Sequence, residues 1–175
     1  LYPEYALDMI RPGIATYGVL PSSDLRGMID LKPVMQLRST IFQIRDFEPN
    51  ITVSYGRTYC TEQPERIAVV GIGYADGLSR SFSNNISFLL HGRRVPQVGR
   101  ICMDMCMVDV TRVPEAKVGD VVTIFGEDGG DCIEADSLAA RLGTIPYELL
   151  CGINKRIPRI YLDGENQTEI LQYIV

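Results

Sequence analysis

Val34-Met35-Gln36-Leu37-Arg38-Ser39-Thr40-Ile41-Phe42-Gln43-Ile44-Arg45-Asp46-Phe47 alternates apolar and polar side chains, with Met35, Leu37, Ser39 and Ile41 on one side and Gln36, Arg38, Thr40 and Gln43 nearby. A period of two predicts a β-strand, because successive side chains leave the backbone on opposite faces. One face meets a core and the other meets water. Working outward, residues 66–73 form a continuous apolar run and predict a buried strand. Residues 86–90 and 93–98 read as a hairpin around His91-Gly92, and residues 100–110 as a strand interrupted by the polar Asp104. The turn Val118-Gly119-Asp120 precedes a strand at 121–125, and residues 127–131 read as an acidic, glycine-rich loop. Residues 133–142 have helical spacing, with Ile133, Leu138, Ala139 and Leu142 on one face and Gly143 as the stop. Residues 145–151 predict a short helical turn. Residues 153–162 return as a strand that Pro158 places at an edge or bulge, and residues 169–175 read as a last strand or a frayed end. The sum is a mainly β domain with one or two short helices, compatible with a closed or partly closed barrel.

Toward the N-terminus the texture changes. Residues 1–10 read as the end of a helix or loop, and Ile14-Ala15-Thr16-Tyr17 as a short strand behind Pro12-Gly13. Residues 19–33 are polar, with Pro21, Gly27 and Pro33, and read as a linker. The expected division is therefore residues 1–30 and residues 31–175. A chain of 175 residues suits one domain, or one domain plus a piece of another. It does not start with Met, so a piece of a longer protein is expected. Its 46% hydrophobic and 22% charged residues are ordinary for a soluble protein, and a net charge of -5 argues against a nucleic-acid surface. No run reaches the roughly 20 apolar residues of a membrane helix, and a cytoplasmic setting is expected. Cys60, Cys102, Cys106, Cys132 and Cys151 are odd in number and scattered, which reads as reduced thiols rather than a disulfide framework. With one histidine, His91, and no second cysteine pair, a metal site is not expected.

Two features invite a chemical reading. In Val53-Ser54-Tyr55-Gly56-Arg57-Thr58-Tyr59 a tyrosine sits between a serine and a glycine, on a turn from which a phenol can project. An ordinary turn tyrosine is the bland alternative. Asp104 breaks an apolar stretch, and a carboxylate there needs a partner, for which Arg100 is the nearest candidate.

Five segments in order, Arg11-Pro12-Gly13-Ile14-Ala15-Thr16-Tyr17-Gly18, Val53-Ser54-Tyr55-Gly56, Gly73-Tyr74-Ala75-Asp76-Gly77, Val98-Gly99-Arg100-Ile101-Cys102-Met103-Asp104 and Thr144-Ile145-Pro146-Tyr147-Glu148, resemble the C-terminal part of the alanine racemases. The resemblance extends to the alanine/serine racemases related to vancomycin resistance. It implies a C-terminal β-barrel-like domain, preceded here by the last strand region of a (β/α)8 barrel that binds pyridoxal phosphate. It also implies a head-to-tail homodimer that supplies D-alanine for peptidoglycan. The family's cofactor-anchoring lysine has no match among Lys32, Lys117 and Lys155, so the chain by itself is expected to be inactive.

The roles that the resemblance implies fall on particular positions. Tyr55 matches the tyrosine that acts as acid/base in the partner subunit's site. Racemisation needs such a group on each face of Cα, while the cofactor accepts electrons. Arg11 matches the arginine facing the cofactor's pyridine nitrogen. Gly13 and Ile14 match backbone donors to its phosphate, and Tyr147 a hydroxyl ligand of the same phosphate. Met103 and Asp104 match the pair at the substrate pocket, and Tyr74, Arg80 and Ile145 the gateway to it. A tyrosine at position 147 favours alanine over serine. Two other readings stay open: a serine racemase of the same family, and a non-catalytic β-barrel for binding or dimerisation. A decarboxylase of the same two-domain plan is disfavoured, because Met103 separates Cys102 from Asp104.

Overall fold

The structure is a computed structural model that describes residues 3–5, 7–164 and 166–172. The chain divides into two compact units, residues 1–35 and residues 36–175.

The first unit contains three short 3-10 turns, Pro3–Tyr5, Gly13–Tyr17 and Ser23–Leu25, and no strand among its described residues. The strand expected at 14–17 is therefore a 3-10 turn. Local bonds decide this: Ala15 N donates to Pro12 O (3.3 Å), Gly18 N to Ala15 O (3.0 Å) and Thr16 Oγ1 to Gly13 O (2.7 Å). Gly13 enters the turn at φ +60° and Gly18 leaves it at φ +73°. At Gly18 a β-carbon would lie 1.8 Å from the Lys32 carbonyl oxygen, so the returning chain fits only over a glycine.

The second unit is built on strands. They are β1 (Leu37–Phe47), β2 (Thr52–Val53), β3 (Tyr59–Cys60), β4 (Glu65–Val70), β5 (Ser87–Leu90), β6 (Arg93–Val98), β7 (Cys106–Asp109), β8 (Val121–Asp128) and β9 (Asp131–Ile133). Helices α1 (Ala135–Leu142) and α2 (Pro146–Cys151) follow, then the hairpin of β10 (Arg159–Asp163) and β11 (Asn166–Leu171). The expected last strand thus spans 166–171, and residues 173–175 lie outside the described part.

The main sheet runs β1-β4-β7-β6-β5-β8-β9, and β1 also pairs with β8. That extra pairing closes a six-stranded antiparallel barrel, with β9 appended as a hairpin to β8. The 11-residue β1 makes closure possible, because it changes neighbours along its length. Leu37 to Thr40 pair with β8, whereas Ile41 to Phe47 pair with β4, across an irregularity between Ile41 and Gln43. A bulge bends a strand and raises its twist, which a closing sheet requires. Leu37 and Ile41 enter the core as the alternation predicted. Phe88, Leu89 and Leu90 of β5, Val95 of β6, Val108 of β7 and Ile124 and Phe125 of β8 are buried as well. Each such side chain contributes about 1.5–3 kcal/mol on burial. The β5–β6 hairpin turns on His91 (φ 50°) and Gly92 (φ 73°), positive at both positions as a tight two-residue hairpin demands.

Several predicted boundaries shift. The strand expected over 100–110 is only Cys106–Asp109, because Gly99 at φ +73° ends β6 and residues 99–105 form a loop. Ile133 closes β9 rather than opening a helix, its N–H and C=O side paired in register with Gly126. The acidic loop 127–131 is a tight hairpin in which Gly129 and Gly130 take φ 57° and 91°. After α2, strand structure resumes only at Arg159, directly past Pro158.

Candidate active site

Strands β2 and β3 pair as Thr52↔Cys60 and Val53↔Tyr59 and form a small hairpin whose tip is the 3-10 turn Tyr55–Arg57. Its base is anchored in the barrel. Val53 is buried in a cluster with Ile67, Val98 and Met107, against which Phe47 and Tyr59 pack. The Tyr59 hydroxyl donates to Glu65 Oε2 (2.6 Å), and Glu65 is itself buried. Burial first, and then this bond to the Glu65 carboxylate, push the Tyr59 phenol well above its ordinary value. Thr61 Oγ1 donates to Glu48 O (2.7 Å) and accepts from Ile51 N (2.9 Å), closing the base of the hairpin.

At the tip the backbone is unusual. Ser54 (φ 70°, ψ 176°), Gly56 (φ 70°) and Arg57 (φ 50°) all have positive φ, and between them Tyr55 is 74% exposed. A Tyr55 packed into the barrel core could not serve as an acid/base group. Instead its phenol stands out from the tip.

The tip is tied to the loop 99–105. Ser54 Oγ donates to Arg100 O (2.8 Å) and accepts from Arg100 N (3.0 Å). Behind them, Asn84 Oδ1 accepts from Gly99 N, and Asn84 Nδ2 reaches Thr58 Oγ1 (3.4 Å) on the Tyr55 side. The buried Gln97 donates from Nε2 to the carbonyls of Val98 and Gly99 (both 3.0 Å) and accepts Asn84 N at Oε1 (2.7 Å).

Within the 99–105 loop, Cys102 N donates to Met105 O (2.9 Å), leaving Met103 and Asp104 exposed at the apex. The expectation that Asp104 interrupts a strand and pairs with Arg100 is corrected here. Asp104 lies on a loop with an exposed side chain, and its partner is Arg156, whose Nη2 donates to Asp104 Oδ1. Arg156 also donates from Nε to the buried Asp76 Oδ1 (2.5 Å), and these two carboxylates hold its guanidinium well above its ordinary range. Asp76 in turn accepts Gly73 N at Oδ2 (2.8 Å), closing the turn Tyr74–Asp76.

That turn carries Tyr74, 44% exposed, and is laid against the 99–105 loop by Tyr74 N to Cys102 O and Ala75 N to Met103 O, each 3.0 Å. Arg80 is exposed, and its carbonyl accepts from Ser83 Oγ (2.6 Å), which also receives Ile101 N (3.0 Å). Helix α2 joins the same cluster. Asn154 N donates to Asp76 O (3.0 Å), and Gly77 passes so close that a β-carbon there would meet Gly152 O at 2.5 Å. At the other end of α2, Ile145 and Tyr147 are exposed beside Pro146 in its first turn. Tyr147 is thus a surface phenol and not a core aromatic. Tyr55, Tyr74, Arg80, Met103 and Asp104 all sit on loops or turns joined by this bonded network, whereas Ile145 and Tyr147 sit at the end of α2 away from the Asn154 bond. Arg11, Gly13 and Ile14 belong to the first unit. There Arg11 is exposed, the Ile14 side chain is buried, and the amides of Gly13 and Ile14 precede the first intra-turn bond.

Arg156, Asp76, Ser54 and Asn84 are structural partners of this cluster that sequence reading did not single out. Asp76, three residues after Gly73, had a local signal, since that spacing lets a carboxylate cap the turn's first amide. Arg156 lies 80 residues from Asp76 and had none. A concavity of about 730 Å³, lined by Asn84 and Gln97 of this network and by Arg94, Asp131, Glu134 and Arg141, contains none of the candidate residues.

The second unit is thus a closed barrel that displays tyrosines, a carboxylate and exposed main chain on its loops, where binding and catalytic residues concentrate in such scaffolds. The family model described as alanine racemase, C-terminal domain, matches residues 34–161, and the chain belongs to the alanine racemase family. It is 48% identical over 168 residues to alanine racemase 2 of Caldanaerobacter subterraneus, covering 96% of this chain and 43% of that protein. Among solved structures it resembles alanine racemase of Clostridium difficile (TM-score 0.89, 42% identity, 97% of this chain and 44% of that one). It also resembles the Bacillus anthracis alanine racemase with bound L-Ala-P (TM-score 0.86, 37% identity, 92% and 42%). The chain therefore spans less than half the length of the relatives it matches. Among its described residues no helix is long and apolar enough to cross a membrane.

Proposed function

We propose that this chain acts as the C-terminal domain of a pyridoxal-phosphate-dependent racemase that interconverts L- and D-alanine, with Tyr55 as one of its two acid/base groups. The observation that carries the reading is the exposed phenol of Tyr55 on a tip whose base is buried and whose flank is bonded to the Arg100 backbone. The cofactor, when bound, accepts the electrons released at Cα. Taken one by one, the residues have the chemistry for it: the Gly13 and Ile14 amides face no intra-turn acceptor, Arg11 offers an exposed guanidinium, and Tyr147, on the other unit, an exposed hydroxyl. A solved relative, the alanine racemase of Bartonella henselae, has covalently bound pyridoxal phosphate.

One of the two proton-transfer roles then falls to this chain. The Tyr55 oxygen takes a proton from, or returns one to, one face of Cα. The amide of Met103 receives the substrate carboxylate beside Asp104. Tyr74, Arg80 and Ile145 limit the size of what reaches them. We place the second base and the cofactor's anchoring lysine on a further domain, and Tyr55 in the site of a partner subunit of a cytoplasmic, head-to-tail homodimer that provides D-alanine for the cell wall. The relatives quoted are named alanine racemases, and nothing favours serine as substrate.

The test is Tyr55→Phe in the complete enzyme, assayed for alanine racemisation with cofactor content measured in parallel. Loss of a positioned acid/base group lowers kcat by about 10²–10⁴-fold. Full activity in the variant refutes the assignment of Tyr55, and racemisation by the 175-residue chain alone refutes the placing of the anchoring lysine on a further domain.

A further inference from the structure

Ser54 occupies a backbone conformation, φ 70° and ψ 176°, that is essentially reserved for glycine. A non-glycine residue persists there only when its surroundings hold it. What holds it is visible in the structure. Its hydroxyl uses both of its capacities on one peptide, donating to Arg100 O (2.8 Å) and accepting from Arg100 N (3.0 Å). From the other side the fit allows no extra atom, since a β-carbon on Gly99 would lie 2.6 Å from Ser54 Cβ. Ser54 directly precedes Tyr55, and Arg100 lies three residues before Met103. The double bond therefore spans the two loops that carry the acid/base phenol and the carboxylate-binding amide.

We propose that Ser54 is a positioning residue, whose hydroxyl sets the distance between the Tyr55 phenol and the Met103 amide and so aims the phenol at Cα. This rests on the function proposed above. A glycine would relieve the backbone but leave Tyr55 untied. An alanine would keep the strain and lose the bonds. The serine accepts a strained backbone in exchange for a fixed phenol.

The test uses the complete enzyme with Ser54→Gly, Ser54→Ala and Tyr55→Phe. Rates are measured in both directions, together with primary isotope effects from Cα-deuterated L- and D-alanine, bound cofactor and thermal unfolding. Because the two enantiomers are equal in energy, kcat/KM must fall equally in both directions, whereas kcat, KM and the isotope effects can each be asymmetric. Ser54→Gly, which removes strain, should fold and hold cofactor as the parent does. Its kcat should fall by about 10–100-fold, the scale of an ångström of misplacement, and its isotope effects should change unequally in the two directions. Gly99→Ala, which pushes on Ser54 from the other side, should reproduce this pattern. Parental kcat and isotope effects in Ser54→Gly overturn the proposal, as does a loss of rate that follows only the cofactor-bound fraction with both isotope effects unchanged. If Tyr55→Phe is fully active, the role of Tyr55 fails and this proposal with it. If Tyr55→Phe is inactive and Ser54→Gly is parental, this proposal alone fails.

Discussion

Replacing Gly73 by alanine should separate the Tyr74 turn from the Met103–Asp104 loop, and the size of the effect follows from the contacts. Gly73 has φ -144°, which alanine adopts freely, so backbone conformation costs nothing. The added β-carbon, however, would lie 2.2 Å from Met103 O and 2.3 Å from Cys102 O, where real contacts stay beyond 3.0 Å. The two segments must part by at least 3.0 − 2.2 = 0.8 Å. Both neighbours are backbone, and they are held by the very bonds at risk, Tyr74 N to Cys102 O and Ala75 N to Met103 O. Losing them costs about 0.5–1.5 kcal/mol each, and forcing an extra methyl into a closed contact adds roughly 1–3 kcal/mol. The expected loss is thus about 2–6 kcal/mol in urea unfolding, read as a lower midpoint at unchanged slope. Gly71→Ala is the internal comparison. Its β-carbon would come as close, 2.2 Å, but to the ring of Phe42, which is half exposed and free to swing away. That variant should cost under about 1 kcal/mol, as for other surface changes. A Gly73→Ala variant within ~1 kcal/mol of the parent, or a Gly71→Ala variant equally damaged, refutes the reasoning that rigid backbone sets the penalty.

Tyr59→Phe should cost about 1–3 kcal/mol at neutral pH, because the buried Glu65 carboxylate loses its donor. The pH dependence has a definite sign. The folded phenol is pushed up while the unfolded one ionises near pH ~10, so above that pH the unfolded chain holds fewer protons and stability falls as pH rises. Denaturant titrations from pH 8 to 11 should show this alkaline decline in the parent and a shallower one in Tyr59→Phe. Arg156→Met leaves Asp76 and Asp104 without their shared cation. In the complete enzyme kcat/KM for alanine should fall between about 10- and 100-fold, with a KM share that steady-state assays will resolve. Thiol titration should find Cys60 and Cys151 exposed and fast-reacting. Cys106, whose thiol burial pushes far up, should react only after unfolding.

Much of the barrel was readable because its signals are local. Alternation from Met35 to Ile41, the apolar run before Gly73 and the His91-Gly92 turn each report on a few neighbouring residues, and each has its counterpart in β1, β4 and the β5–β6 hairpin. The errors arose where local preference met a local hydrogen bond or a distant partner. Ile14 to Tyr17 have strand-like side chains, yet Thr16 and Ala15 bond back to Gly13 and Pro12. Residues 100–105 read as strand, yet Ser54, Ser83 and Tyr74 bond them into a loop. For the candidate site, the motif around Tyr55 marked a projecting phenol, but nothing near it marked what holds it in place.

The sequence by itself determined the period-two strands, the turn residues, the family and the set of candidate groups, since these depend on residue type and near-neighbour spacing. Only the tertiary structure decided that β1 closes the barrel by serving both β8 and β4, and that Arg156 rather than Arg100 holds Asp104. It also decided that a serine hydroxyl, across 46 residues of chain, ties Tyr55 to the loop of Met103. The physical reason is the same in each case. A hydrogen bond or ion pair depends on distances of a few ångströms in space, and separation along the chain carries no record of them until the barrel has closed.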